Sequence, residues 1–275
     1  MTATAHTRPV VSVDELQRAW RALQSGEFRG AAQPCVKKRT PPHTSQVWTR
    51  SPDEQVLPVV RCPGAQGATT FALALATAAK DAARVVECSA PTSSGLAAAS
   101  TAELGEHPSG WAQGTRGEVL LQRVSTELAG VSDVPPPLAA QTTTLTVLDV
   151  GWELGHVLRT PSWVATHITQ ATAVVMVSCA TVPGLRHLES ALAMLGGTPT
   201  VVVIIGPPRK RWPKTVQHSA GSSIRAAECA GRLVGAPWDR RLAIAGLNST
   251  PLPAPLLRAA ETVLTLVDQV RTGSP

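Results

Sequence analysis

The sequence contains no tyrosine and only two phenylalanines, against seven tryptophans in 275 residues. A core so short of aromatic bulk must be packed from Val, Leu, Ile and Ala, which suits buried parallel strands covered by alanine-rich helices. Long apolar runs are missing too. The longest, around Val174–Val177 and Val201–Ile205, fall far short of the roughly 20 residues that cross a bilayer. The N-terminus carries no apolar stretch of the signal-peptide kind. The five cysteines, Cys35, Cys62, Cys88, Cys179 and Cys229, are odd in number, widely spaced and form no Cys-x-x-Cys pair. That argues against a disulfide framework or a zinc site and for a reducing cytoplasm. The seven histidines offer no pair at metal-ligand spacing on one element. No nucleophile elbow surrounds Ser178 and Cys179, which argues against a hydrolase.

What is present is a globular composition, 43% hydrophobic and 16% charged. The 25 Lys and Arg residues outnumber the 19 Asp and Glu, for a formal net charge of +6. This surplus permits contact with nucleic acid or acidic lipid without establishing either. Much of it lies in Arg29–Arg50 and Arg209–Lys214.

Residues 1–29 read as a tail carrying one amphipathic helix over Val13–Phe28. Ser12 can cap it, Asp14 and Glu15 suit its N-terminal dipole, and Leu16, Trp20 and Leu23 share a face. That face either packs on the domain or docks a partner. Residues 30–54 hold Pro34, Pro41, Pro42 and Pro52 among Lys37, Lys38, Arg39 and Arg50, and read as an extended basic linker. From residue 55 to 275 the pattern becomes that of an α/β domain. Strands are expected at Val56–Cys62, Arg84–Cys88, Thr144–Asp149, Ala173–Ser178, Thr198–Ile205 and Leu233–Ala236. Helices are expected at Thr69–Lys80, Gly117–Leu128, Ser162–Gln170, Leu185–Leu195, Ser222–Arg232 and Ala254–Val270. Continuous apolar strands alternating with helices predict a mostly parallel central sheet with helices on both faces, a Rossmann-like three-layer arrangement. Ligands in such sheets bind beyond the C-terminal strand ends.

One loop sits where that rule places a ligand. Gly64-Ala65-Gln66-Gly67-Ala68-Thr69-Thr70 follows the first apolar strand and opens the first helix of the domain. A phosphate cradle needs inward backbone N–H groups, the positive end of a helix dipole and, usually, a cation. The stretch supplies the first two. Thr69 stands where a hydroxyl would hold Mg²⁺. Downstream, Leu145-Thr146-Val147-Leu148-Asp149 is an apolar strand ending in a carboxylate. The same glycines could also form nothing more than a tight strand-to-helix turn, with Asp149 capping the next element.

The loop resembles the deviant P-loop of the ParA/MinD superfamily, Gly-Lys-Gly-Gly-x-Gly-Lys-Thr-Thr, and is most similar to the CpaE/TadZ-like branch with its Gly-Ala-Thr-Thr loop. Gly64, Gly67, Thr69 and Thr70 match. Asp149 is similar to the Walker B carboxylate that helps hold Mg²⁺ through water, Gly151 lies near the family's following glycine, and Leu233–Pro237 is similar to a late strand ending in proline. The resemblance implies a P-loop NTPase-like fold. It also implies ATP or ADP with Mg²⁺ as cofactor, contacted by Gly64, Ala65, Gln66, Gly67, Ala68, Thr69 and Thr70, with Thr69 and Asp149 at the metal. It further implies a homodimer formed across the nucleotide, acting as a switch or positioning factor in partition, secretion, pilus placement or conjugation.

The departures are specific. Cys62 replaces the first glycine, Pro63 the signature lysine, Ala65 a glycine and Ala68 the P-loop lysine. Val85-Val86-Glu87-Cys88 lacks an Asp for the attacking water, and Gly206-Pro207-Pro208 replaces an adenine-binding Asn. A lost charge-assisted hydrogen bond costs about 1.5–3 kcal/mol, about one to two decades of affinity. The expectation is low-affinity nucleotide binding and at most weak ATPase activity, with a nonenzymatic scaffold or DNA-binding adaptor as the alternative.

Arg209-Lys210-Arg211-Trp212-Pro213-Lys214 follows the fifth strand and should lie on the ligand-facing edge. Four cations around an indole suit nonspecific nucleic-acid binding with one stacked base; a solvated basic loop is the plainer reading. Arg209 or Lys210 could also supply the charge that the missing lysines leave out. Glu103, Glu106 and Glu118 are unplaced candidates for a base.

Overall fold

A computed structural model describes residues 13–25, 47–64, 67–139 and 143–273. The chain divides into two compact units, residues 1–42 and 43–275. The first contains helix α1 (Val13–Ser25), on which Asp14, Gln17, Arg18 and Trp20 are exposed. The expected cap Ser12 and the extension to Phe28 lie outside the described residues, as does most of the expected linker.

In the second unit the expected strands form as β1 (Gln55–Arg61), β2 (Ala83–Cys88), β6 (Leu145–Val150), β7 (Val174–Cys179), β8 (Thr200–Gly206) and β9 (Leu233–Pro237). Three further strands, β3 (Ala102–His107), β4 (Trp111–Arg116) and β5 (Val119–Val124), complete one nine-stranded sheet in the order β3-β4-β5-β2-β6-β1-β7-β8-β9. All pairings from β5 to β9 are parallel, whereas β3-β4 and β4-β5 are antiparallel. Strands β2 and β6 are buried at every residue, as expected of strands covered on both faces.

Helices α2 (Ala68–Ala78) and α9 (Ala254–Thr272) cover one face, packing Phe71, Leu73, Leu75 and Val263 on Leu57, Val59, Val85, Val147 and Val203. The other face is covered by α3 (Leu154–Arg159), α4 (Trp163–Thr169), α5 (Val182–Leu195), α6 (Lys214–His218) and α7 (Ser222–Cys229), through Val157, Trp163, Leu185, Leu188, Val216 and Ile224. A short helix α8 (Arg240–Ala245) follows β9. Side-chain caps fix several starts: Ser162 Oγ accepts from Ala165 N at 3.1 Å, Thr181 Oγ1 from Gly184 N at 3.1 Å, and Asp239 Oδ1 from Leu242 N at 2.9 Å.

The expected helix over Gly117–Leu128 is corrected: its centre is strand β5. Gly117, at φ +54°, begins a two-residue turn with Glu118 that closes the β4-β5 hairpin, in the geometry that puts glycine first. Val119 and Leu121 then enter the α2/α9 core, and the β5 backbone pairs with β2.

Residues 47–54, expected within the solvated linker, are anchored to the domain by two side chains while the other six residues are exposed. Trp48 and Glu54 are buried. Glu54 forms a 2.7 Å ion pair with Arg84 on β2, and Arg84 also donates to Thr146 Oγ1 at 2.6 Å and lies 5.6 Å from the Trp48 ring centroid. A fully buried guanidinium requires such a set of partners.

Candidate functional site

β1 delivers the glycine loop to the centre of the sheet, between β6 and β7. Cys62 N donates to Val177 O at 2.9 Å, tying the loop's first residue to β7. His187 on α5 donates through Nδ1 to Pro63 O at 3.0 Å. Gly64 and Gly67 take φ of +74° and +97°, left-handed conformations that favour glycine. A Cβ on Gly67 would stand 2.8 Å from Ile205 Cδ1, so the position is closed to side chains by space as well. Gly67 is the N-cap of α2 and supplies no side-chain cap. The first-turn amides of α2 thus lack partners within the helix, at its positive end, which is how a helix receives an anion. Ala65 and Gln66 lie outside the described residues. Ala68, where the resemblance expects a lysine, is buried in the core.

Beside the loop lie two buried carboxylates, Glu87 on β2 and Asp149 on β6, direct neighbours in the parallel register. Burial pushes the Asp149 carboxyl up to about 7 and the Glu87 charge adds to the rise, while the nearby Thr69 hydroxyl and the Arg61 charge pull it down. Burial likewise raises Glu87, opposed by donation from Ser94 Oγ at 2.5 Å and Gly95 N at 2.8 Å and by the charge of Arg123, its register neighbour on β5. Glu87 therefore holds the loop after β2 in place. That loop passes close over α2: a Cβ on Gly95 would lie 3.3 Å from Thr69 Cγ2. Gly151 is equally constrained, since a Cβ there would meet Ser89 Cβ at 2.5 Å. The Cys62 thiol is pushed up to about 12 by burial, so it is no nucleophile at neutral pH.

Two cavities flank the loop. One of about 400 Å³ lies between Gly64, Cys179, Thr181, Gly206, Pro207 and Trp238. A second, of about 290 Å³, reaches Gly67, Thr69, Thr70, Gly95 and Asp239. Trp238, 54% exposed, lines both.

The basic loop after β8 is organised differently from the expectation. Trp212 is buried, donates Nε1–H to Pro207 O at 2.9 Å, and has the Arg209 guanidinium 5.0 Å from its ring centroid. Arg209 also pairs with Glu228 at 2.5 Å. The buried indole therefore presents no free face for a base, and Arg209 is engaged by Glu228 and the indole; Lys210, Arg211 and Lys214 remain exposed. Glu103 is paired with Arg123, Glu106 lies on the exposed strand β3, and Glu118 sits in the β4-β5 turn, so the structure brings none of the three to the glycine loop. Sequence reasoning left Glu87 without a role and passed over Arg61 and Trp238. A carboxylate inside an otherwise apolar strand was the available signal for Glu87.

These residues fit a nucleoside polyphosphate with a divalent cation in one respect and depart in another. Thr69 and Asp149 meet at the uncapped start of α2, and among the described residues no larger His, Cys, Asp and Glu cluster exists to hold a metal. A cation there would complete its shell with phosphate and water, as Mg²⁺ does. The loop itself carries no cation.

No protein-family model matches the sequence, and no curated protein matches it. Among solved structures, the chain is similar to the MinC:MinD cell division protein complex of Aquifex aeolicus (13% identity, 77% of this chain and 96% of that one, TM-score 0.49). It is similar to the cell division ATPase MinD of Pyrococcus furiosus (14% identity, 77% and 99%, TM-score 0.48). It is also similar to apo McdA of Cyanthece (14% identity, 78% and 99%, TM-score 0.48).

Proposed function

We propose that the chain is a nucleotide-binding switch or positioning protein of the ParA/MinD type, with weak or absent ATP hydrolysis. The observation that carries this reading is a glycine loop, with Gly64 and Gly67 at positive φ, that opens a helix without a side-chain cap on the sheet face carrying the buried Asp149 carboxylate. Backbone amides from Gly64 to Thr70 bind the phosphates, and the space beside Trp238 takes the base. Thr69 would hold Mg²⁺, with Asp149 as the supporting carboxylate, and the cation would supply neutralisation of phosphate charge. Glu87 fixes the loop after β2 over Thr69 and so limits water at the site. With Pro63 and Ala68 in the two lysine positions, charge stabilisation at the distal phosphates is reduced, which supports slow turnover.

In this reading two copies meet across the nucleotide, a partner is recruited through residues 13–28, and the protein works in the cytoplasm. A nonenzymatic scaffold is the second reading, favoured by the same two missing lysines. Exposed Lys210, Arg211 and Lys214 make nonspecific DNA contact part of either reading.

Titration of the purified chain with ATP and Mg²⁺, following affinity, phosphate release and mass, tests the proposal. Saturable binding with dimerisation supports the switch. Binding without phosphate release or dimerisation supports the scaffold. Absence of binding at millimolar ATP sinks nucleotide binding altogether. A DNA mobility shift that persists after neutralising Lys210, Arg211 and Lys214 would remove that loop from any DNA interface.

A further inference from the structure

The glycine loop has no cation of its own, and Arg209, a candidate from the sequence, is engaged with Glu228 and Trp212. The strand leading into the loop ends on Arg61. Leu57 and Val59 of β1 point into the α2/α9 face, while Val60 and Cys62 point into the opposite core. Strand alternation therefore places Arg61 on the α2 face, the face that also carries Glu87 and Asp149. Its backbone is fixed against β7: Arg61 is in register with Val177, and Cys62 N is bonded to Val177 O at 2.9 Å. The side chain is exposed, and among the described residues no ion pair or hydrogen bond holds it. Its charge nevertheless reaches Asp149. An arginine two residues past the register partner of Asp149, yet bonded to neither Asp149 nor Glu87, keeps its N–H donors available.

We propose that Arg61 is the phosphate-binding cation of this site, moved from the glycine loop to the last residue of the strand before it, and that it contacts the distal phosphates of a nucleoside di- or triphosphate. This rests on the nucleotide reading above. The planar guanidinium donates two parallel N–H bonds to phosphate oxygens, which a lysine cannot do, and it stays charged at every working pH. Its place on the strand rather than in the loop leaves the positive-φ glycines Gly64 and Gly67 and the uncapped start of α2 unaltered.

The full-length chain is titrated calorimetrically with ATP, ADP and AMP, each in Mg²⁺ and in EDTA, as wild type, Arg61→Ala and Arg61→Lys. Arg61→Ala is expected to weaken ATP and ADP by about 10- to 100-fold, with AMP changed by less than about threefold. Arg61→Lys should recover part of the loss, and the loss should persist in EDTA because Arg61 contacts phosphate directly. Wild-type ATP affinity in Arg61→Ala overturns the proposal while leaving nucleotide binding standing. An equal loss for ATP and AMP also overturns it, since a general disturbance of the loop does not read distal phosphates. A wild-type chain that binds none of the three at millimolar concentration overturns the nucleotide reading and this proposal together. Thermal unfolding of both variants in the absence of nucleotide confirms that the folded state under test is the wild-type one.

Discussion

Glu87 and Asp149 stand side by side in register on the parallel strands β2 and β6, both buried. Two carboxylates so placed resist simultaneous ionisation. Burial lifts both, and Asp149 reaches about 7. A carboxyl whose folded pKa lies above its unfolded value keeps its proton longer in the folded state. The folded chain then binds more protons than the unfolded chain between about pH 4 and 7, and stability falls as pH rises through that window.

Urea unfolding at pH 5, 6, 7 and 8 should show this fall, at up to about 1.4 kcal/mol per pH unit for Asp149. Asp149→Asn keeps the shape and removes the charge. It should flatten the slope and raise stability most at pH 8. A slope unchanged in Asp149→Asn would place the titration elsewhere.

Gly67→Ala should destabilise the apo domain and weaken nucleotide binding. The left-handed backbone costs a Cβ-bearing residue about 1–2 kcal/mol, and the contact with Ile205 Cδ1 at 2.8 Å adds to it. Ile205→Ala in the same chain should relieve the contact but not the backbone term. A double-mutant cycle by denaturant unfolding separates the two; additive losses would show that Ile205 is not what closes the position.

Trp238 lines both cavities beside the glycine loop. If the base stacks there, Trp238→Ala should cost ATP about 1–3 kcal/mol of binding and leave inorganic pyrophosphate unchanged. Competition titrations of the two ligands check this. Equal affinities of ATP for both proteins would move the base elsewhere.

Glu54→Gln should be among the most destabilising single changes in the domain. It leaves Arg84, fully buried, without its counter-charge, and breaking such a pair costs about 3–5 kcal/mol. Thermal unfolding should register it. A near-neutral effect would mean that the hydrogen bonds of Arg84 to Thr146 and Leu138 suffice.

Six strands of the parallel core were legible because each is a continuous apolar run, and the glycine loop because its residue types serve a local backbone need. β5 was not. Val119, Leu120, Leu121, Val124 and Leu128 fit a helical spacing as readily as a strand, and only pairing with β2 decides between them. Trp212 misled in the same way. A tryptophan among cations suggests a stacking platform, but its burial depends on a fold over Pro207 that local sequence does not announce. Glu87 and Arg61 draw their meaning from register: one stands beside Asp149, and the other lies on the same sheet face. No single stretch of chain contains that relation.

The rims of the sheet limit how this chain can assemble. β3, at one rim, is exposed along its length, carries Glu103 and Glu106, and slips register between Glu103 and Gly105. β9, at the other, ends in Pro237, which has no amide hydrogen to offer. Charges, an irregular backbone and a terminal proline are the devices by which proteins discourage a stranger's strand from annealing to their own. Open-ended growth by sheet extension is thereby disfavoured.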